Sequence, residues 1–267
     1  MPVVDIHAHI YPDKIAERAA ASVGEFYNIH MDAGSGSVGN YLKLIEGSPI
    51  THSVVHSVAV KPGVVETIND FVAASCQEHP NFIGFATLHQ DYENPEAEID
   101  RAIGLGLKGI KLHPDTQGVN MDDPRLMHIY EIAEDRGISV MLHCGDYRYD
   151  FSHPRRLKNV LRTFPKLRVD AAHFGGWSVA DLALEYLEDE HCWMDMSSSM
   201  AFLGPRRTKE LCRIYGTDRI LFGADFPMWD PSSELQIFEA LDFTPEEWAD
   251  MTWRNAERYL NMSIPSA

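Results

Sequence analysis

Short apolar segments recur along the chain and alternate with stretches in which apolar residues follow helical spacing. We predict a β-strand at each apolar segment, at residues 3–9, 51–59, 81–88, 107–112, 138–143, 167–173, 192–196 and 219–224. Helical spacing, with proline or glycine near some of the ends, predicts helices near residues 40–46, 64–78, 95–104, 123–136, 154–163, 178–188, 208–215 and 244–260. Residues 32–39 read as a glycine- and serine-containing loop.

The alternation of strands and helices indicates how the strands are arranged. Short, largely apolar strands separated by helices are typical of parallel strands that are buried on both faces. A doubly wound open sheet would normally carry a glycine-rich phosphate loop after the first strand, whereas residues 7–12 read His-Ala-His-Ile-Tyr-Pro. We therefore predict an α/β protein with a TIM (β/α)8 barrel, formed by one domain over residues 1–267.

Composition narrows the classes of partner. Hydrophobic residues make up 45% and charged residues 24% of the chain, as in ordinary globular proteins. The net charge of −17 repels nucleic acid and anionic membrane surfaces, so we expect a small-molecule substrate and neither of those partners. The four cysteines show no CxxC spacing, and no basic and apolar leader precedes the first strand. We therefore expect reduced thiols and a cytoplasmic location.

The first predicted strand ends in a His-x-His pair, His7 and His9. Alternate side chains of a strand point to the same face, which places these two α-carbons about 6.6 Å apart. Two imidazoles so placed can bind one metal ion, because zinc takes histidine nitrogens at about 2.0–2.1 Å and iron, manganese and cobalt also accept them. An isolated pair of this kind is also compatible with a surface or hydrogen-bonded core position.

Other polar side chains stand at the predicted strand ends, where TIM barrels carry their chemistry. They are Lys111 and His113 after the fourth strand, His143 after the fifth, His173 after the sixth and Asp225 after the eighth. Histidines and a carboxylate crowded at one rim would lose hydration without compensation unless a cation bound them. The set as a whole therefore predicts a metal site.

These residues, with the stretch Phe222-Gly223-Ala224-Asp225-Phe226-Pro227, make the chain resemble the amidohydrolase superfamily. Within it the chain is similar to the amidohydrolase-related branch, which includes aminocarboxymuconate semialdehyde decarboxylase and related aromatic acid decarboxylases. The resemblance implies that His7, His9, His143 and Asp225 are metal ligands. It also implies that His173 is either a further ligand or a catalytic histidine. The expected cofactor is one Zn²⁺, with Mn²⁺ or Fe²⁺ as alternatives.

Lys111 and His113 share one face of the fourth strand and leave two interpretations open. Some members of the superfamily carry a carboxylated lysine on this strand that bridges two metals, and Lys111 resembles it by position. The related decarboxylases hold one metal and lack this bridge. We favour a single metal, with Lys111 and His113 binding or orienting the substrate.

The expected reaction is hydrolysis of a small cyclic or carboxylate-bearing substrate, such as an amide or a lactone. A bound metal lowers the pKa of water from 15.7 toward about 7, and Asp225 can take the proton while His173 stabilises developing charge. The same site can support nonoxidative decarboxylation of a small aromatic or unsaturated acid, which is the alternative. A third interpretation is a binding barrel without catalysis, which has no need of a full ligand set.

Substrate contacts are expected from the loops that follow the strands. Arg148 can bind a substrate carboxylate with two hydrogen bonds, or it can pair with Asp146 or Asp150 at the surface. Trp177 is expected to contribute an apolar wall, as are Phe174, Phe226, Met228 and Trp229. Since related barrels often associate through their helices, we also expect a homodimer.

Overall fold

The computed structural model describes residues 1–265. Eight β-strands follow one another along these described residues. They are β1 (Val4–His9), β2 (His52–His56), β3 (Phe82–Thr87), β4 (Gly109–Leu112), β5 (Ser139–Leu142), β6 (Val169–Ala171), β7 (Met194–Asp195) and β8 (Ile220–Leu221). Each lies within a predicted strand, and β7 and β8 are much shorter than predicted.

The strands are parallel and ordered as in the chain. β1 to β6 form one sheet, and β7 and β8 form a second. Backbone hydrogen bonds join the two sheets at both seams: Ala171 donates to Trp193 beside β7, and Ile6 of β1 donates to Phe222 after β8. The eight strands therefore follow one another around a closed ring, and the predicted TIM barrel is confirmed.

The helices lie between the strands in sequence, except for the last three, which follow β8. They are α1 (Asp13–Tyr27), α2 (Val38–Ile45), α3 (Val65–Glu78), α4 (Pro95–Gly104), α5 (Pro114–Gln117), α6 (Pro124–Arg136), α7 (Pro154–Thr163), α8 (Ala180–Leu187), α9 (Met200–Tyr215), α10 (Pro231–Glu239), α11 (Pro245–Ala249) and α12 (Asn255–Leu260). Sequence analysis missed α1, α5 and α10. The helix predicted at residues 244–260 is interrupted by a π-helical turn at Asp250–Arg254.

Within the described part of the chain, six helices begin in the same way, with a polar side chain that caps the helix and a proline at the first helical position. The caps are Asn94, His113, Asp123, His153, Asp230 and Thr244, and each accepts a hydrogen bond from a backbone N–H of the first turn. Proline is suited to this position because its fixed φ matches the helix and its missing N–H would have no partner there.

The strands are buried on both faces, as expected for a barrel covered by helices. Every residue of β2, β3, β4 and β5 is buried. Polar side chains are buried with them, among them Asp5, Lys111 and Asp195, whose relative exposure is 0%. Within residues 1–265, no helix combines the length and the apolar character needed to cross a membrane.

Candidate metal centre

Three side chains converge at the carboxyl ends of β1 and β8. Nε2 of His7 lies 3.3 Å from Nε2 of His9, and Oδ1 of Asp225 lies 3.4 Å from each of these nitrogens. Four ligands held tetrahedrally at the usual zinc distances of about 2.0–2.1 Å would lie about 3.3–3.4 Å from one another. The three donor atoms therefore have the spacing of one face of a zinc coordination tetrahedron, and they fit a divalent metal.

His7 is oriented by a carboxylate behind it. Its Nδ1 lies 2.8 Å from Oδ2 of Asp195, so Nδ1 carries the proton and Nε2 directs its lone pair toward His9 and Asp225. Burial lowers the pKa of His7 to about 4, which keeps the imidazole neutral at pH 7. A carboxylate that fixes the tautomer of a ligand histidine is a common feature of zinc sites. Sequence analysis missed Asp195.

Asp225 is held in a conformation that directs its carboxylate into the centre. Its φ is +64°, in the left-handed region, and its backbone N–H donates to the carbonyl of His7. Ser198 donates to its Oδ2 at 2.5 Å, which leaves Oδ1 facing the histidines. Burial opposes its ionisation, but the neighbouring His7 and His9 hold the pKa of Asp225 well below its usual value. The carboxylate is therefore available to a cation.

His173 is placed by a strained turn after β6. Its φ is +61°, its backbone N–H donates to Asp195, and its Nδ1 lies 2.9 Å from the carbonyl oxygen of Ser197. Since a carbonyl only accepts, Nδ1 carries the proton and the other ring nitrogen is left for chemistry. His7, His173 and Asp225 each place a donor atom within 4.8 Å of the others. Both predicted roles of His173, ligand and catalytic group, are compatible with this position.

His143 contacts His173 and reaches the metal centre through that residue. Its Nδ1 lies 3.1 Å from Nε2 of His173, and its ring stacks on His113 with the centroids 3.9 Å apart. Among the described residues, His143 groups with His113 and Asp115, whose possible metal-ligating atoms lie within 4.8 Å of one another. Within that part of the chain it does not group with His7 in this way. The ligand role of His143 stays a prediction.

Lys111 lies directly beside a candidate ligand. Its Nζ is 2.9 Å from Nε2 of His7, and its relative exposure is 0%. Burial lowers the pKa of Lys111, although Asp225 and Asp195 act in the opposite direction. A hydrogen bond from Lys111 and a metal ion would use the same lone pair of Nε2. The position of Lys111 is therefore part of the metal centre itself.

His56, at the end of β2, was missed by sequence analysis. Its ring centroid lies 4.4 Å from that of His9 and 5.0 Å from that of His7. Both of its ring nitrogens are buried without a hydrogen-bond partner in the described part of the chain. The second strand was predicted to run to residue 59, whereas β2 ends at His56, so the strand-end rule did not select this residue.

Tyr27, at the end of α1, links two of the predicted histidines. Its hydroxyl lies 2.6 Å from Nε2 of His113 and 3.4 Å from Nε2 of His143. The backbone N–H of Thr116 donates to Nδ1 of His113, so Nε2 of His113 carries the proton and donates to Tyr27. Burial raises the pKa of Tyr27 well above its usual value, so the phenol keeps its proton. Its hydroxyl hydrogen is then available to His143.

A cavity of about 580 Å³ adjoins the centre. His9, His113, His143, His173 and Asp225 line one part of it. Its other walls are formed mainly by α1 and by residues 57–71, and these are mostly apolar. The cavity size is in the usual range for small-molecule sites, and the position of the polar groups directs a bound molecule's reactive end toward the metal centre.

The two remaining predicted substrate contacts, Arg148 and Trp177, pack beside Tyr27. The guanidinium of Arg148 forms a two-pronged ion pair with the buried carboxylate of Asp146, and it also donates to the carbonyl of Phe26. Of the two alternatives left open by the sequence, the structure thus has the ion pair with Asp146, and the carboxylate of Asp146 is buried. The ring of Trp177 lies 4.6 Å from that of Tyr27. Their substrate contacts stay predictions.

Comparison with known proteins agrees with this architecture. The chain is 37% identical over 83 residues to the 2-amino-3-carboxymuconate-6-semialdehyde decarboxylase of Dictyostelium discoideum, a match that spans 30% of this chain and 23% of that relative. The structure is similar to 2,6-dihydroxybenzoate decarboxylase from Rhizobium, with a TM-score of 0.75, 17% identity and coverage of 98% and 99% of the two chains.

A second similar structure is 5-carboxyvanillate decarboxylase from Novosphingobium aromaticivorans, solved in complex with manganese. Its TM-score is 0.75 at 17% identity, and the alignment covers 98% of this chain and 96% of that chain. At identities this low, the similarity shows only that the chains share the barrel fold. The model of the family described as amidohydrolase matches residues 4–262, almost the whole chain. The chain therefore belongs to the amidohydrolase family, as its strand-end residues predicted, and its donor set fits a divalent metal.

Proposed function

We propose that the protein is a metal-dependent nonoxidative decarboxylase of an aromatic or unsaturated carboxylic acid. The observation that carries the proposal is the division of the cavity, with ionisable groups beside the metal centre and mostly apolar walls elsewhere. A substrate carboxylate loses hydration in such a site. The negative charge that develops in the transition state would be stabilised by the imidazoles and by a bound metal ion. Decarboxylation, placed second by sequence analysis, thus replaces hydrolysis as the leading reaction.

The comparisons support the same choice. The curated relative and both similar structures are described as decarboxylases that act on aromatic or unsaturated acids. Hydrolysis is supported by the description of the family and by one similar structure, described as a probable 2-pyrone-4,6-dicarboxylic acid hydrolase from Acinetobacter baumannii, with a TM-score of 0.71. The proposal also keeps the cytoplasmic location and the homodimer that were expected from the sequence.

The metal would be held by His7, His9 and Asp225, with His143 or His173 as a further ligand. When bound, it supplies a Lewis acid that neutralises the substrate's acidic oxygens and stabilises negative charge. The donor spacing fits Zn²⁺ as proposed, and Mn²⁺ is the alternative because a similar decarboxylase binds it.

The protein's own groups account for the proton. The bond between the carboxyl carbon and the substrate carbon breaks, CO2 leaves, and the electron pair stays on the substrate carbon. That carbon then takes a proton, for which we propose Nε2 of His173 as donor, because Nδ1–H is committed to Ser197 and Nε2 can first receive a proton from Nδ1 of His143. His143 and Tyr27 extend from Nε2 of His173 and can return a proton to it.

Product analysis tests the proposal. The zinc- and manganese-loaded protein is incubated in D2O with hydroxybenzoic acids, unsaturated dicarboxylic acids, lactones and amides. We expect CO2 from an acid and one deuterium at the carbon that carried the carboxylate. Cleavage of a lactone or amide with no CO2 from any acid would assign the site to hydrolysis instead.

A further inference from the structure

Helix α1 carries two apolar stripes on neighbouring faces. The first packs into the barrel and consists of Ala16, Ala20, Gly24 and Tyr27, all buried. The second follows the same helical period one residue earlier and lines the cavity with Ile15, Ala19, Val23 and Phe26. A helix that only covers a barrel needs one such stripe, so the second stripe faces the cavity for another reason.

A second wall of the cavity, formed by α3, repeats this arrangement. The core face of α3 includes Val65, Asn69 and Val72, which are buried. The adjacent face and the residue before the helix line the cavity with Val64, Thr67, Ile68 and Phe71. The cavity is thus bounded by faces of two helices, and both faces are mostly apolar.

The size of the cavity exceeds what a single-ring acid fills. At about 30 Å³ for each water, 580 Å³ corresponds to roughly nineteen waters, or on the order of twenty non-hydrogen atoms of a ligand. The apolar wall continues to the surface, where Ile15, Val60 and Val64 are 37%, 53% and 38% exposed. The cavity therefore extends from the metal centre to an apolar opening.

Charge fixes the direction in which an acid would lie. Among the described residues that line the cavity, none is Lys or Arg. A carboxylate in the outer part would lose hydration without a cationic partner, whereas beside His9 and Asp225 it would meet the metal. The polar end of a ligand is thereby directed inward and its apolar end outward.

We propose that the faces of α1 and α3 form a subsite for an apolar substituent, so that the substrate class is acids bearing an alkyl chain or second ring away from the carboxylate. The position of the carboxylate rests on the proposed function. The subsite itself rests on the lining of the cavity.

The test is a binding series measured by calorimetry on the zinc-loaded protein, with benzoates that carry para-alkyl chains from methyl to hexyl. We expect affinity to rise about fourfold with each added methylene, the effect of burying that group. Ala19→Phe, which fills the cavity from α1, is expected to abolish the rise. Ala21→Phe places the same side chain at an exposed position of the same helix and is expected to keep it.

A second pair of variants covers the case in which Ala19→Phe does not fold. Val64→Asp should weaken binding of the hexyl compound, whereas Ile103→Asp should not, and both positions are 38% exposed in the wild type. Affinity that stays flat or falls with chain length in the wild type would overturn the subsite. Equal weakening of hexyl-compound binding by Val64→Asp and Ile103→Asp would also overturn it.

The failure of the proposed function would look different. Straight-chain alcohols from butanol to octanol test the apolar walls without a carboxylate. If alcohols gain affinity with length while no acid binds or releases CO2, the subsite stands and decarboxylation does not. CO2 release from simple acids with no gain from chain length in either series would leave decarboxylation standing and remove the subsite.

Discussion

The amine nitrogen of Lys111 lies 2.9 Å from Nε2 of His7, inside the group of side chains that would bind the metal. An ammonium at this position donates into the lone pair that a cation requires, and its charge repels the cation. Loss of its proton or displacement of the side chain must therefore accompany metal binding at His7.

We predict one metal per chain with an unmodified lysine at position 111. Lys111→Met should raise the affinity for Zn²⁺ by at least about tenfold, because it removes a positive charge and a competing donor. Lys158→Met, on α7, is the control and should leave affinity unchanged. Metal analysis and chelator competition measure both. Two equivalents of metal together with a carboxylated Lys111 would show that the bridged, two-metal alternative is correct.

Asp195→Asn is predicted to weaken the metal centre without altering its ligands. The amide can donate to Nδ1 of His7 and so turn the imidazole to the tautomer that has no lone pair at Nε2. Zinc affinity should fall about tenfold to a hundredfold. The control is Asp189→Asn, at an exposed position on the loop after α8. Competition with a chromogenic chelator measures the change, and equal affinities for the two variants would show that Asp195 does not orient His7.

Arg148→Ala is predicted to affect stability more than substrate binding. The change leaves the carboxylate of Asp146, whose side chain is 0% exposed, without its cation, which should cost on the order of 3 kcal/mol. KM for an acidic substrate should remain unchanged, because the guanidinium is committed to Asp146 and Phe26. Denaturant unfolding and steady-state kinetics measure the two effects. A raised KM with normal stability would restore the substrate role of Arg148.

Glu234 is predicted to make the protein less stable at alkaline pH. Burial raises its pKa from 4.5 to about 8, so the folded state keeps a proton that the unfolded state loses. The stability from this group is fully present below pH 4.5 and is lost as the pH rises to about 8, on the order of 5 kcal/mol. Glu234→Gln should therefore gain stability relative to wild type between pH 5 and pH 9. A difference independent of pH, measured by urea unfolding, would contradict the assignment.

The fold was predictable where one apolar pattern dominates a segment. The strands buried on both faces read as short apolar runs, and α4 and α7 begin and end at the predicted residues. α1 was missed because its two stripes, one facing the core and one facing the cavity, spread apolar and small residues around the helix. β7 and β8 contain two residues each, too few for their bounds to be read from a pattern.

The site was predictable as far as the strand-end rule reaches. That rule found His7, His9, His173 and Asp225, which the fold brings together. It could not find Tyr27, because this residue approaches His143 from a helix 116 residues away in sequence. The pairing of Arg148 with Asp146 was one of two open alternatives, since spacing alone does not show which carboxylate a guanidinium reaches.

The most direct test of the account is release of labelled CO2 from a carboxyl-labelled aromatic or unsaturated acid by the metal-loaded protein, compared with Asp225→Asn. We predict release that stops on chelation, returns with Zn²⁺ or Mn²⁺, and falls at least about a hundredfold in Asp225→Asn while the variant stays folded. Release that survives chelation or the loss of this carboxylate would contradict a metal centre built on His7, His9 and Asp225.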